Sequence, residues 1–320
     1  MAESTETLRD VGEFGLIRQL TRGLVMPPAV SVGPGDDAAV FLVDGSAVVS
    51  TDSLVEGVDF RRDWSSAVDV GRKSVAVASA DLEAMGARPV ALVVALCAPP
   101  ELPAQWAREF GIGVREEAER AGTALVGGDI GTARDVSIAV TVIGETAGCE
   151  PVLRSGAHPG QLIALKGRLG WSAAGHAALQ RGFRSPRAVV DEHRVPSVPY
   201  GAGRQAAMAG ATAMIDVSDG LLRDCGHLAQ DSAVVIDLDR SRLVVAEPVA
   251  TVAAALGRDP YEFLLAGGED HALVAAFYPG QVPDDWQVIG EVREPGDAGP
   301  QVLVNGEEWA GATGWEHFRN

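Results

Sequence analysis

Hydrophobic positions along this chain switch between helical and strand-like spacing, which predicts a mixed α/β protein. Apolar residues recur at three-residue intervals over residues 8–24 and indicate an amphipathic helix. A second helix is predicted to start after Ser65 or Ser66 as N-cap and to end at Gly86. A charged amphipathic pattern over residues 103–121 predicts a third.

Short apolar runs between turn residues predict the strands of the same half. Residues 38–43 and 47–51 are predicted to form a strand pair joined at Asp44 and Gly45, with Asp52 at the end of the second strand. A nearly continuous apolar run over residues 89–98 is typical of a strand buried on both faces. Two shorter strands are predicted over residues 123–126 and 136–144.

The pattern restarts after Gly and Pro residues at 148–151, where we place a domain boundary, giving domains 1–149 and 150–320. The polar, proline-containing segment 187–199 is predicted to be a surface connection. Further strands are predicted over residues 161–166, 213–216, 234–238 and 271–277, and helices after the loop 167–175 and over 201–210 and 247–256. This order of elements indicates an α/β (α+β) fold class.

Composition and charge narrow the possible functions. The 320 residues include 44 acidic and 26 basic ones, and the net charge of −18 argues against a nucleic-acid partner. No apolar run approaches the roughly 18 residues that span a bilayer, and the N-terminus lacks a signal-peptide pattern, so we expect a cytoplasmic protein without a membrane partner. Three cysteines without a CxxC pair indicate neither a disulfide framework nor a zinc site.

Carboxylates recur at the ends of apolar runs. The segment GPGDDAAV, residues 33–40, carries the adjacent acids Asp36 and Asp37, whose mutual repulsion suggests a bound cation. Taken alone, this segment is better explained as a solvated turn, because Gly, Pro and Asp are common turn formers. The same arrangement returns at Asp52, Asp81, Asp129 and Asp216. Oxygen ligands of this kind suit Mg²⁺ and phosphoryl chemistry, provided that folding brings them together.

Asp81 is the most informative of these residues on physical grounds. A carboxylate near the C-terminus of a helix meets the negative end of the helix dipole and lowers stability. Its neighbours, such as Val77, Ala80 and Leu82, are mostly apolar, so burial beside a cation is favoured over simple exposure.

Two pairs of glycines precede acids. Gly127 and Gly128 precede Asp129, and an equivalent pair at 267–268 precedes Glu269, so each could let a backbone approach a ligand closely while presenting an acid. A turn that needs positive φ is the better explanation for either pair alone, but two such pairs after apolar runs favour a functional role. The glycine-bearing loop 167–175 could offer amides to a phosphate but lacks the ending of a P-loop.

Arg154 and Trp315 each have a functional and a structural interpretation. Arginine suits bidentate phosphate recognition, but Arg154 could equally be an ordinary surface residue. Trp315 could pack in the C-terminal segment or close over a flat ring. No Ser-His-Asp spacing and no HExxH motif is present to indicate a hydrolase.

Nine motifs taken together resemble those of the thiamine-monophosphate kinase family, which belongs to the superfamily named after aminoimidazole ribonucleotide synthetase. In chain order they are GDDAAV, STDSLVEGVDF, ADLEAMGARP, GGD, RSGAHPG, GWSAAG, DVSDGL, GGEDHAL and GWEHF. The resemblance implies a two-domain fold with mixed sheets and flanking helices, and an N-terminal domain that pairs across a homodimer. It also implies a transferase of thiamine biosynthesis that uses ATP and magnesium to convert thiamine monophosphate into thiamine diphosphate.

The resemblance also implies roles for individual residues. Magnesium ligands are expected at Asp37, Ser50, Thr51, Asp52, Asp81, Asp129, Asp216 and Asp219, of which Asp52, Asp129 and Asp216 are the expected catalytic carboxylates. ATP contacts are expected at Gly128, Asp129, Arg154 and Ser218, and thiamine contacts at Asp59, Glu269 and Trp315. The chain departs from the family pattern at Asp59, where the family often has histidine, and at His271, which replaces a frequent tyrosine.

Donor and acceptor phosphates repel each other, so we expect several magnesium ions and direct in-line transfer without a phosphoenzyme. Two alternatives remain at this stage. One is another ATP-using member of the superfamily, although selenophosphate synthetase needs a reactive residue near its N-terminus and the first cysteine here is Cys97. The other is a non-catalytic sensor of nucleotide or metal.

Overall fold

The structure is a computed structural model and describes residues 6–315. The chain divides into two compact units. The N-terminal unit comprises residues up to Leu82 together with Arg88–Gly148, and the C-terminal unit comprises Glu83–Ala87 together with the residues from Cys149 onward. Each unit has its own sheet and its own helices, which agrees with the predicted α/β (α+β) class.

The N-terminal unit consists of a four-stranded sheet, a two-stranded ribbon and helices. The helices are α1 (Leu8–Val11), α2 (Glu13–Thr21), α3 (Ala67–Ala84, whose last two residues belong to the other unit) and α4 (Ala104–Ala121). The strands are β1 (Val30–Val32), β2 (Val40–Phe41), β3 (Ala47–Val55), β4 (Arg88–Ala98), β5 (Ala124–Thr132) and β6 (Ser137–Glu145). The large sheet has the order β3-β6-β4-β5, and β1 pairs with β2 in the ribbon.

One face of the four-stranded sheet is buried, and the other is open except at the start of β4, where Ala91 and Val93 pack with Val30 of the ribbon. Leu54, Val140 and Val94 lie in the buried layer, each at most 8% exposed. Helix α4 contacts β5 on this side, and Leu82 of α3 lies against Gly144 of β6. On the opposite face, residues of β3 are exposed and residues of β4 and β6 are half-buried. The prediction that residues 89–98 are buried on both faces is therefore wrong for the second half of β4.

Two N-terminal predictions are wrong, one because of local chain geometry and one because of strand pairing. The helix predicted over residues 8–24 is broken into α1 and α2 at Gly12, whose φ of 69° lies outside the helical region. The predicted hairpin of residues 38–43 and 47–51 does not form, because β2 pairs with β1 and β3 pairs with β6. Strand β6 offers β3 a nine-residue antiparallel ladder, whereas β2 is only two residues long.

Strands β3 and β5 both extend further than the sequence suggested. Asp52 lies inside β3, opposite Val140 of β6, and not at the end of a strand. Gly127, Gly128 and Asp129 likewise lie inside β5 and pair with β4. Predicted strand ends at these acids were therefore wrong, since glycine and aspartate are poor strand formers and conceal the continuing ladder.

The C-terminal unit has a six-stranded mixed sheet with the order β12-β9-β11-β7-β10-β8. Its strands are β7 (Leu162–Lys166), β8 (Ala213–Asp216), β9 (Val235–Leu238), β10 (Leu273–Phe277), β11 (Gln287–Arg293) and β12 (Gln301–Val304). Its helices are α5 (Trp171–Gln180), α6 (Arg187–Arg194), α7 (Ala202–Ala209), α8 (Leu221–Ser232), α9 (Glu247–Leu256) and α10 (Pro260–Ala266). No helix in the described part of the chain is long and apolar enough to cross a membrane.

Helix α6 corrects the prediction that residues 187–199 form a surface connection. Val189, Val190 and His193 are buried, and α6 packs tightly on α5. A Cβ atom built on Gly175 of α5 would lie 2.0 Å from the carbonyl oxygen of Val189, so glycine is required at this contact. A two-turn helix bounded by prolines has too few residues to show helical periodicity, and packing on α5 stabilises it.

Candidate functional site

A cavity of about 560 Å³ in the N-terminal unit brings two predicted segments together. Asp36 and Asp37 line it from the segment after β1, and Gly127–Asp129 line it from β5. Its apolar wall includes Phe14 and Ile17 of α2, Phe110 and Val114 of α4 and Leu96 of β4. The predicted ligand Asp37 and the predicted ATP contacts Gly128 and Asp129 therefore border the same cavity. The Asp37 N–H donates a hydrogen bond of 2.9 Å to the side-chain Oδ1 of Asp36, which ties the paired acids together.

Ser50 and Asp81 are also brought together. The Ser50 hydroxyl donates to Asp81 Oδ2 at 2.5 Å, which joins β3 to α3. Asp81 is half-buried, and Ala78, Ala80 and Leu82 beside it are fully buried, as the sequence suggested. Two oxygen donors from distant parts of the sequence thus meet at one point of the N-terminal unit.

Asp52 and Asp129 are not brought together within one copy of this unit. Asp52 is in register with Val140 and Val94, whereas Asp129 is in register with Ala95, Ala139 and Ser53. The two acids therefore point to opposite faces of the sheet. They also lie on the two edge strands, which three interstrand spacings of about 4.8 Å place about 14 Å apart. Thr51 lies on the open face, where its Oγ1 accepts a hydrogen bond from Thr141 at 3.0 Å.

Asp59 lies in the turn after β3 and is held there by its own unit. Its Oδ2 accepts the Val55 N–H at 2.8 Å. The ammonium of Lys73, a residue that is only 2% exposed, donates to the Asp59 carbonyl oxygen at 2.8 Å. The role of Lys73 was not predicted, because a lysine in a helical stripe gives no sign of burial in the sequence.

In the C-terminal unit, the end of β8 and the start of β10 meet because these strands are antiparallel neighbours. The Glu269 N–H donates to the Ser218 carbonyl oxygen at 2.7 Å, and the Trp315 N–H donates to the Asp219 carbonyl oxygen at 2.9 Å. Four residues predicted to contact ATP, metal or thiamine are thereby gathered around one turn. Of the motif GWEHF, residues 316–318 lie outside the described part of the chain.

Asp216 and His271 form a buried pair at the same edge. The Nδ1 atom of His271 lies 3.0 Å from Asp216 Oδ2, and both side chains are at most 7% exposed. His271 and Glu269 have positive φ values of 50° and 63°, which are uncommon for residues other than glycine. Strained backbone of this kind is concentrated at functional sites.

A third carboxylate, Asp224, lies beside Asp216 and Asp219 and was missed by sequence reasoning. Burial, followed by the Asp216 carboxylate, raises the pKa of Asp224 to about 7. Its Oδ2 accepts the N–H groups of Asp219 and Gly220 at 3.0 Å. The residue sits in the first turns of α8, a helix that the sequence pattern did not reveal.

Asp270 joins the loop 167–175 to β10. Its carboxylate accepts the Gly170 N–H at 2.5 Å and the Ser172 N–H at 2.9 Å. Burial raises the pKa of this carboxyl to about 7, although the two N–H donors act in the opposite direction. Asp270 therefore already binds two of the amides at the start of α5 that this loop could offer to a phosphate.

The glycine pairs make room for the protein's own backbone. A Cβ atom on Gly128 would lie 2.2 Å from the Val94 carbonyl oxygen, and one on Gly268 would lie 2.7 Å from the Ser218 carbonyl oxygen. Both glycine pairs therefore allow a close backbone approach, to strand β4 in one case and to the turn at Ser218 in the other.

The C-terminal unit also contains Arg154, a predicted ATP contact, and His193, which was not predicted. Arg154 is exposed in the segment before β7, and this segment runs beside β8, where the Met214 N–H donates to the Leu153 carbonyl oxygen at 2.9 Å. His193 lies 3.3 Å from Glu269, measured from Nδ1 to Oε2, and was missed because its segment was predicted to be a surface connection.

Within residues 6–315, no three His, Cys, Asp or Glu side chains are clustered closely enough to hold a metal ion. The predicted donors are all oxygen atoms, carboxylates and hydroxyls, which fit Mg²⁺ and not zinc. The Ser50–Asp81 contact and the carboxylates around Asp216 are the places where these donors converge.

Comparison with known proteins gives consistent matches over the whole chain. The family described as AIR synthase related protein, N-terminal domain, matches residues 35–146. A thiamine-monophosphate kinase of Mycobacterium tuberculosis is 49% identical over 320 residues, covering 99% of this chain and 95% of the relative.

Comparison with solved structures leads to the same family. The thiamine monophosphate kinase (ThiL) from Aquifex aeolicus superposes with a TM-score of 0.77 at 30% identity, covering 82% of this chain and 89% of that one. AaThiL complexed with AMPPCP and TMP superposes with a TM-score of 0.79 at 29% identity, covering 98% of this chain and 100% of that one. Both the fold and the length of the chain are shared with these proteins.

Proposed function

Because this chain belongs to the thiamine-monophosphate kinase family, we propose that it transfers the γ-phosphoryl group of ATP to the phosphate of thiamine monophosphate. The products are thiamine diphosphate and ADP. The similar AaThiL was solved with AMPPCP and TMP, which supports this pair of substrates. The family places the chain among the thiamine-phosphate kinases.

One observation carries the proposal. The hydrogen bond of 2.7 Å from the Glu269 N–H to the Ser218 carbonyl joins a predicted thiamine contact to a predicted ATP contact. Trp315 is tied to the same turn through Asp219. A turn that carries contacts to both substrates is what a direct transfer between them requires, since the reacting atoms must be held within a few ångströms.

The metal ligands that we propose are Asp37, Ser50, Thr51, Asp52, Asp81, Asp129, Asp216 and Asp219. Bound magnesium ions would neutralise the charge on the donor and acceptor phosphates. Because Asp52 and Asp129 lie on opposite edges and faces of one sheet, a single copy of the chain cannot place both on one ion.

The chain's own residues position the substrates and provide no covalent step. The acceptor oxygen belongs to a phosphate monoester, which is largely ionised near neutral pH, so no general base is needed. We propose ATP contacts at Gly128, Asp129, Arg154 and Ser218, and thiamine contacts at Glu269, Trp315 and Asp59. The cavity beside Gly128 and Asp129 has an apolar wall that is suited to a nucleotide base.

We also propose that the chain forms a homodimer through the open face of the four-stranded sheet. The helices of the N-terminal unit contact its other face. Val49 and Val55 of β3 are 61% and 37% exposed, and half-buried apolar residues of β4 and β6 lie on the same face, Ala95, Ala139 and Ile143. A sheet face that met only water would be polar, so this composition supports an interface.

Incubation of purified protein with ATP, Mg²⁺ and thiamine monophosphate tests the activity directly. We expect chromatography to show thiamine diphosphate and ADP in equal amounts. Asp129→Asn should lower turnover by a factor of about 100 or more, as loss of a residue that neutralises transferred phosphate charge does. The control Asp135→Asn changes an exposed aspartate between β5 and β6 and should leave turnover unchanged. Absence of thiamine diphosphate with the wild-type protein would refute the proposal.

A further inference from the structure

His193 faces the predicted thiamine contact Glu269 from a buried position in α6. Its Nδ1 atom lies 3.3 Å from Glu269 Oε2 and 3.1 Å from Ser172 Oγ. The His193 side chain is 8% exposed, whereas that of Glu269 is 37% exposed. A buried imidazole therefore contacts a carboxylate that is open to solvent on its other side.

The ring of His193 is fixed by its surroundings. Helix α6 packs on α5 at Gly175, where an added Cβ would lie 2.9 Å from the His193 Cβ. The ring of His176, also in α5, lies 5.1 Å from that of His193, measured between centroids. Ser172, whose N–H is bound by Asp270, is 1% exposed, and its Oγ atom can accept a hydrogen bond from the same nitrogen that faces Glu269. These contacts leave the imidazole little freedom to rotate.

The carboxylate of Glu269 needs such a partner. Its backbone is fixed at a positive φ of 63° and by the hydrogen bond to Ser218, but three rotatable bonds separate the backbone from the carboxylate. Ordering a long side chain of this kind opposes binding through lost conformational entropy. A rigid neighbour that holds the carboxylate before the substrate arrives reduces that loss.

We propose that His193 is a positioning residue, which holds the Glu269 carboxylate in the orientation that receives the cationic thiazolium end of thiamine monophosphate. This inference rests on the proposed function. His193 acts through Glu269 and does not touch the reacting phosphates. Its removal should therefore weaken binding of thiamine monophosphate and leave binding of ATP unchanged.

Two substitutions of His193 distinguish the contribution of its Nδ1 atom from that of the packing of its ring. His193→Phe keeps a ring that can pack against His176 but has no nitrogen. His193→Asn places an amide nitrogen near the position of Nδ1. We expect His193→Phe to raise the KM for thiamine monophosphate about tenfold, the order expected for a lost hydrogen bond to a charged group, with kcat and the KM for ATP changed less than twofold. His193→Asn should restore most of the lost affinity.

A double-mutant cycle excludes a purely structural role. In a Glu269→Gln background, where the carboxylate charge is already gone, His193→Phe should change the KM for thiamine monophosphate by less than twofold. Circular dichroism checks the fold of each variant, and if His193→Phe does not fold, His193→Ala replaces it in the same cycle.

Each outcome has one meaning. If the wild-type protein makes no thiamine diphosphate, the proposed function itself fails. If the wild-type protein is active but the KM for thiamine monophosphate is unchanged in His193→Phe, positioning by His193 is refuted. A parallel rise in the KM for ATP, or an equal effect of His193→Phe in the Glu269→Gln background, would also refute it.

Discussion

At the scale of single residues, Gly127 and Gly128 show that neighbouring glycines have different constraints. A Cβ on Gly128 would lie 2.2 Å from the Val94 carbonyl oxygen, whereas one on Gly127 would make only an ordinary contact of 3.6 Å with the Val93 side chain. We therefore expect Gly128→Ala to lower the free energy of unfolding by about 1–3 kcal/mol, as overpacking does. Gly127→Ala should change it by less than about 1 kcal/mol.

Urea denaturation of the wild-type protein and both variants measures this difference. Gly127→Ala serves as the control for the loss of glycine flexibility, because both glycines lie in the same strand. Equal stability losses in the two variants would contradict the account. Equal losses would show that the stability change comes from strand propensity and not from the contact of Gly128 with β4.

Residue types can suggest candidate ligands, whereas the distances between them depend on the fold. The carboxylate at Asp81 was predicted to lie among apolar neighbours, and the structure confirms this environment. The separation of Asp52 and Asp129 depends on which strands pair, which neither motif reveals. Asp224 and His193 escaped prediction because each lies in a helix that the hydrophobic pattern did not show.

At the scale of elements, Asp270 connects the start of α5 to β10. Its titration should make the free energy of unfolding depend on pH. Burial raises its pKa to about 7 from an ordinary value of 3.8. At pH values between 3.8 and about 7, Asp270 is protonated in more of the folded molecules than of the unfolded chains, so the folded protein binds more protons. The contribution of Asp270 to the free energy of unfolding is therefore largest at low pH and is lost as the pH rises through about 7.

Asp270→Asn removes this titration, so the difference in stability between variant and wild type should change with pH. From pH 5 to pH 8 we expect the variant to gain about 3 kcal/mol relative to the wild type, since about two pKa units are titrated. Glu83 and Asp224 also have raised pKa values, but they are present in both proteins and cancel in the difference. Denaturation curves at pH 5 and pH 8 measure the difference in free energy of unfolding between the variant and the wild type. The same difference at both pH values would contradict the raised pKa of Asp270.

The two 18-residue helices α3 and α4 were predicted, whereas the 12-residue helix α8 was not. The start of α3 was also predicted, because the Ser66 hydroxyl accepts the Asp69 N–H at 3.1 Å and acts as the N-cap that the sequence suggested. Helix α6 and strand β2 were predicted wrongly because they are short and depend on tertiary contacts. Local sequence patterns cannot supply those contacts.

At the scale of the whole molecule, the open sheet face predicts the state of association. We expect sedimentation equilibrium to give about twice the chain mass of 33.3 kDa. Val49→Glu places a charge on the apolar face and should weaken dimerisation at least tenfold, because a buried unpaired charge is costly. Val25→Glu is the control, since Val25 is 88% exposed and lies outside every strand. A monomeric wild-type protein would contradict the proposed interface.

The central claim is that the γ-phosphoryl group passes directly from ATP to thiamine monophosphate, with no phosphoenzyme between them. The stereochemical course at the transferred phosphorus tests this claim most directly. It is followed with ATP that carries three oxygen isotopes in one configuration at the γ-phosphorus. A single in-line displacement predicts inversion of that configuration in the terminal phosphate of thiamine diphosphate. Retention would show two successive displacements through a phosphoenzyme and would contradict the account.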